Sequence, residues 1–192
     1  MGVKLLGTGS YAPDNTFNIE EMSEIVGEDI SEFMKPLGIE QRNETGSEMS
    51  SADLAVKAGE DALQKAGISA EEIDLLILST DTPDIISPQS SAIVANELGM
   101  RDGAPFFDMN SSCTGFVFGS VTARNWIEGN PDINTVMVIS TYNMTKYADM
   151  KKGKFYCVFS DGAGAAIYRK DETQQGILAS HFIGNGDQWM TL

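Results

Sequence analysis

Between residues 51 and 140 the chain alternates, at short intervals, between apolar runs fit for buried strands and segments carrying a helical stripe. Leu54, Ala55, Ala58, Ala62, Leu63 and Ala66 recur at three- and four-residue steps, so 51–66 reads as a helix with one apolar face. The stripe is mostly alanine, which lets such a helix lie close against a sheet. Ser50 with Asp53 forms a capping pattern at its start, and Gly67 is placed to end it in a left-handed conformation. A second capping pattern, Ser69 to Glu72, precedes a buried strand at 73–78. Ser87-Pro88 reads as the opening of the next helix, with proline in its first turn and Gly99 closing it. Further strands are expected at 3–7, 104–108 and 135–140, and a helix from Cys113 to about Glu128. Short helices at 18–26 and 30–34 end where Pro36 breaks the pattern. This alternation predicts an α/β layered domain with a largely parallel sheet. Apolar runs at 155–159 and 163–168 suggest an added antiparallel edge, and 176–182 is a further β-like run.

Composition narrows the function classes. The 192 residues, 42% hydrophobic and 21% charged, suit one globular domain with a real core. No apolar run approaches the roughly 20 residues that span a bilayer, so no membrane association is expected. The N-terminus enters a strand-like segment directly, without a secretory pattern, and a cytoplasmic location is the expectation. A net charge of −15 argues against nucleic-acid binding, which draws its affinity from basic surface. The local exception is a lysine cluster, Lys146, Lys151, Lys152 and Lys154, around the single acid Asp149. One histidine, His181, and no Cys-x-x-Cys or His-Glu-x-x-His spacing leave no expected metal site.

Four motifs bear on chemistry. Gly7-Thr-Gly-Ser-Tyr-Ala12 matches a dinucleotide fingerprint, but Pro13 follows where a helix would have to start. It is read as a structural loop over 7–13. Cys113 follows a strand and two serines and precedes an apolar helical face of Phe116, Val117 and Val121. A cysteine at a helix N-terminus meets the positive end of the dipole and free amides, which favour thiolate. Thiolate attacks thioester carbonyls, its own amide can hold the oxyanion, and Gly115 would leave room for substrate. By local pattern alone, Cys113 is equally a small buried residue. Cys157, inside Phe155-Tyr-Cys-Val-Phe159, reads as core packing. Phe159-Ser-Asp-Gly-Ala-Gly-Ala-Ala166 lacks the lysine and helix of a phosphate loop and reads as a turn between paired strands.

In this order and spacing, the opening Gly-Thr-Gly-Ser-Tyr-x-Pro, Leu37-Gly-Ile-Glu-Gln-Arg42, Asp108-x-x-Ser-Ser-Cys-Thr-Gly-Phe116 and Phe159-Ser-Asp-Gly-Ala-Gly-Ala-Ala166 resemble the N-terminal half of β-ketoacyl-acyl carrier protein synthase III. The resemblance implies one thiolase-like domain over 1–192, with a mixed, mostly parallel five-stranded sheet and helices on both faces. It implies an acyltransferase in fatty-acid or related acyl-chain synthesis, a homodimer, in which Cys113 takes an acyl group from a thioester. A carbanion from a decarboxylated malonyl-thioester then attacks that acyl group. The histidine and asparagine that assist decarboxylation lie in a C-terminal half beyond Leu192, and His181 does not stand at the catalytic position. Substrate contacts are expected from Ser87, Gly115, Phe116 and Lys152. Ser87 stands where some relatives place a bulky aromatic that limits acyl length, which suggests a roomier pocket. Relatives that use coenzyme A carry a tryptophan and an arginine before Gly38; here Glu32 and Pro36 stand there, and Lys152 replaces a loop arginine. That pattern favours acyl carrier protein as the donor's carrier, with acyl-coenzyme A the other thioester possible and no separate cofactor. Two other outcomes are hydroxymethylglutaryl-coenzyme A synthase-like chemistry and a non-catalytic subunit of the same fold.

Overall fold

The computed structural model describes residues 2–173 and 176–188. Five strands form the central sheet: β1 (Gly2–Tyr11), β4 (Leu75–Ser79), β5 (Phe106–Met109), β6 (Thr135–Tyr142) and β7 (Gly162–Asp171). Their order is β1-β7-β6-β4-β5. The β6–β4 and β4–β5 pairs are parallel, whereas β7 runs antiparallel to both β1 and β6. Four strands therefore point one way and β7 alone is reversed. The sheet is mixed, as expected, but the reversed strand lies inside it.

Strand alternation sorts the core into two layers. Leu76, Leu78, Met137, Ile139, Ala165 and Ile167 face α3 (Ser51–Ala66) and α4 (Ser90–Leu98). Their neighbours Leu75, Ile77, Val136, Val138, Ala166 and Tyr168 face α5 (Gly115–Gly129) on the other side. The α3 helix follows its sequence closely. Ser50 and Asp53 form a reciprocal capping box, Gly67 ends the helix at φ +68°, and Ala52, Ala55, Ala58 and Ala62 are buried. A small satellite unit comprises β2 (Thr16–Asn18), α1 (Ile19–Val26), α2 (Ser31–Met34) and β3 (Gln41–Asn43). It has its own core of Met22, Ile30, Met34 and Cys157.

Five expectations are corrected. Residues 7–11 are strand, not loop, because β1 runs on to Tyr11 against α3. Gly7 and Gly9 make this possible: a Cβ at Gly9 would fall inside the van der Waals shells of the Ala58 carbonyl and the Ala62 amide. Residues 154–158 form a 3-10 turn instead of a strand, since both hydrogen-bonding edges of β7 are filled by β1 and β6. Gly162 and Gly164 lie within β7, so only 159–161 remain as the turn. The 176–182 run contributes one parallel bridge, Gly176 to Val3, and no strand. Pro88 follows a cis peptide bond and precedes α4, which begins at Ser90; the free amides of Ser90 and Ser91 donate to the Asp108 carboxylate at 2.9 and 2.8 Å.

The close contact of β1 on α3 is testable. Gly9→Ala is expected to cost about 3 kcal/mol in urea denaturation, an overpacking effect against rigid backbone. Gly164→Ala, whose added methyl would meet only one atom, at 4.0 Å, should cost much less.

Candidate active site

The site lies where the parallel strands end. The α5-facing row of β4 reads Leu75, Ile77, Ser79, and that of β6 reads Val136, Val138, Ser140. Both rows turn from aliphatic to hydroxyl at one level, since Ser79 and Ser140 are register partners. Above them β4 gives way to a loop from Thr80, while β6 runs on to Tyr142 before its own loop begins. Carboxyl ends of strands are the usual seat of ligand sites in α/β sheets.

Cys113 sits at the same level, in a 3-10 turn (Ser112–Thr114) that leads into α5. The helix proper begins at Gly115, two residues later than expected. Ser112 adopts φ +44°, an uncommon conformation for a side-chain-bearing residue, and turns the chain sharply before the cysteine. The Thr114 amide donates to the Ser111 carbonyl, and the Gly115 amide to that of Ser112. The thiol is exposed. With Ser79, Thr80, Asp81, Ser112, Phe116, Ser140, Thr141, Tyr142 and Phe159 it lines a cavity of about 310 Å³. A larger groove of about 380 Å³ on the outer face of α5 is shallow and is lined by Thr122, Asn125, Trp126, Gly129 and Asn130. That groove offers neither a nucleophile nor an acid–base pair.

The expected contact residues do not all meet here. Phe116, 38% exposed, lines the cavity beside Cys113. Gly115 lies beneath it, and its missing side chain serves the fold: a Cβ there would collide with the Ser79 hydroxyl. Ser87 and Lys152 are exposed and do not line the cavity. Lys152 belongs to the turn beside α1, while Lys154 is the lysine of this cluster that lies over an aromatic ring, 5.6 Å from the centre of Phe33. His181 is exposed, in a segment without regular structure. Among the described residues no cluster of three metal-ligating side chains occurs, and no helix is long and apolar enough to cross a membrane.

Residues not anticipated from sequence supply the polar frame. Asp161, 3% exposed, accepts hydrogen bonds from the amides of Thr45 (2.9 Å) and Thr145 (3.0 Å) and from both threonine hydroxyls. It ties the loops after β3 and β6 to the start of β7. Asp84 accepts from the Ser51 and Ala52 amides at 2.9 and 2.7 Å, fastening the loop after β4 to α3. Asp81, Tyr142, Ser79 and Ser140 were likewise unforeseen as lining. Their only signal is the change from aliphatic to hydroxyl at the strand ends.

Burial raises the Tyr142 phenol to about 12, helped by negative charge at Asp81, Cys113 and Asp161. Burial also pushes the Cys157 thiol up, against a smaller opposing effect of Arg42.

These settings separate the two thiols. Iodoacetamide is expected to label Cys113 rapidly in the folded protein and Cys157 far more slowly, with ready labelling of Cys157 on denaturation, as read by peptide mass mapping. The tyrosine has an alkaline signature. Above the ordinary phenol value the unfolded chain gives up its proton while folded Tyr142 keeps it, so stability falls as pH rises from about 10 towards 12. Tyr168, also raised by burial, adds to this fall. Tyr142→Phe should therefore flatten, without abolishing, the drop in urea midpoint between about pH 9 and about pH 11.

The family described as 3-oxoacyl-[acyl-carrier-protein (ACP)] synthase III matches residues 107–186, a span that contains Cys113 and β7. The β-ketoacyl-[acyl-carrier-protein] synthase III of Xanthomonas euvesicatoria is 34% identical over 185 residues, which are 96% of this chain and 56% of that protein. Among solved structures, 3-oxoacyl-[acyl-carrier-protein] synthase III from Aquifex aeolicus superposes with a TM-score of 0.82 at 31% identity, covering 89% of this chain and 55% of that one. The priming β-ketosynthase of the R1128 polyketide pathway gives 0.84 at 30% identity, covering 90% and 51%. The chain thus spans about half the length of the relatives it matches. Over nearly its whole length this thiolase-like α/β chain is similar to the N-terminal half of β-ketoacyl-acyl carrier protein synthase III.

Proposed function

We propose that the chain is the acyl-accepting part of a condensing enzyme of the synthase III kind, with residues 1–192 as its N-terminal domain. The observation that carries this is the placing of Cys113, exposed beside a cavity at the carboxyl ends of β4 and β6 and at the foot of a 15-residue helix. The thiolate attacks the carbonyl of an acyl-thioester, the tetrahedral intermediate collapses, and the carrier's thiolate leaves, so that a C–S bond forms to Cys113 as another breaks. The free end of α5 favours negative charge at this point. A malonyl-thioester then loses carbon dioxide, and the resulting carbanion attacks the acyl-cysteine carbonyl. Cys113 thiolate is expelled, and a β-ketoacyl-thioester remains. The groups that assist decarboxylation come from outside these residues.

Acyl carrier protein is the carrier we infer, because the aromatic and arginine expected for coenzyme A are replaced at Glu32, Pro36 and Lys152, although Phe33 supplies a ring one position on. On a chain of net charge −15, the lysines at 146–154 are the local surface to which an acidic carrier can dock. Ser87 and Lys152 stay in this reading as contacts made outside the cavity described. The active form is a cytoplasmic homodimer that needs no cofactor beyond its thioesters, and its product enters fatty-acid or related acyl-chain synthesis.

Incubation with an acyl-thioester, followed by intact-mass and peptide analysis, tests the central step. One acyl group on Cys113 is expected, and Cys113→Ala should remove it completely. An adduct on Cys157, or none at all, would leave a non-catalytic subunit as the better account.

A further inference from the structure

Asp81 stands in the cavity wall with no structural task to account for it. The other aspartates around the site, Asp84, Asp108 and Asp161, each accept hydrogen bonds from two backbone amides. Among the described residues Asp81 accepts none and joins no ion pair. It is half-buried, in the loop after β4, and lines the same cavity as the exposed thiol of Cys113. A carboxylate drawn partly out of water without a counter-charge works against folding, and threonine or asparagine at this place would avoid that cost.

The rest of the lining does nothing to offset the charge. Phe116, Phe159 and the ring of Tyr142 are apolar walls, the serines and threonines are neutral, and no lysine, arginine or histidine lines the cavity. The charge is felt across the space: after burial, Asp81 is the largest cause of the raised Tyr142 phenol, ahead of Cys113 and Asp161. At about 310 Å³ the cavity lies at the small end of ligand pockets, which run from about 300 to 1,000 Å³. An acyl chain of a few carbons on Cys113 therefore fills it and brings its tip towards Asp81. Like charges about 6 Å apart in partly buried surroundings repel far more strongly than in bulk water.

The reaction proposed above uses two thioesters, and a thiolate can attack the carbonyl of either. Only one of them, the malonyl-thioester, carries a carboxylate, and loading it onto Cys113 would block the site. We propose that Asp81 is a charge filter: it bars acyl groups that end in a carboxylate, the malonyl group among them, from the cavity and so from Cys113, and it admits neutral ones. The inference rests on Cys113 as the acyl acceptor. Condensation is not hindered, because the bound acyl chain then fills the cavity and the malonyl group attacks from outside it.

The test compares malonyl and malonamyl thioesters of N-acetylcysteamine on the purified protein, a pair matched in shape and different in charge. Acylation of Cys113 is followed by mass spectrometry. Each rate is divided by that of exchange with 2-mercaptoethanol, which removes the intrinsic difference in reactivity. The wild-type chain should favour malonamyl about 10- to 100-fold, the range expected for like charges at that separation. Asp81→Asn should bring the ratio to within a few-fold of one, whereas Asp81→Glu, which keeps the charge, should retain most of it. The ratio is internal to each variant, so a loss of folded protein that slows both reactions does not mimic it.

A wild-type ratio near one overturns the proposal, as does a ratio that Asp81→Asn leaves unchanged or that Asp81→Glu loses just as fully. Acylation by a butyryl thioester but by neither member of the pair also overturns it, since size and not charge would then exclude them. Failure of all three thioesters to acylate Cys113 overturns the acyl-acceptor reading itself, and the filter with it.

Discussion

The first turn of α5 can approach the sheet only because positions 115 and 119 carry no side chain. A Cβ at Gly115 would meet the Ser79 hydroxyl, and one at Gly119 would come within 2.8 Å of Val138 Cγ1. This contact sets the height of Cys113 above the strand ends, and so decides that the thiol faces a cavity floored by β4 and β6. The apolar layer of Ala123, Ile127, Ile77 and Val138 beneath the helix then holds it there. The reactive position is thus a product of close packing, to which the turn at Ser112 adds direction.

The acidic character of the chain has an internal as well as an external use. Asp84, Asp108 and Asp161, together with Asp74, each accept hydrogen bonds from two backbone amides that would otherwise be left without a partner. Three of these pairs join loops that rise from the ends of the strands to the elements around the cavity. Part of the net charge of −15 is therefore structural, holding loop backbone that has no sheet or helix ladder to complete it.

Local rules made much of the fold legible. The α3 helix and both its caps, the strands at β4 and β6, and the placing of a cysteine where a strand gives way to α5 follow from periodicity and capping residues. What periodicity cannot convey is which edges of a strand are occupied. The 155–159 run has strand composition, yet β7 has no edge left to receive it, so it coils and buries Cys157 in the satellite core. The β1 glycines look like a loop until α3 is laid against them. Of the site, Cys113 and Phe116 were legible from the motif. The serines at the strand ends were not, because a single hydroxyl closing an aliphatic run is also an ordinary way for a strand to end.

The satellite unit has a consequence for how the molecule breathes. Its core of Met22, Ile30, Met34 and Cys157 is separate from the two layers that clamp the sheet. Small clusters of this kind open at lower free energy than the global transition. The one thiol sealed inside it makes Cys157 a built-in clock: its slow exposure counts openings of the unit while the sheet, and with it the position of Cys113, stays intact.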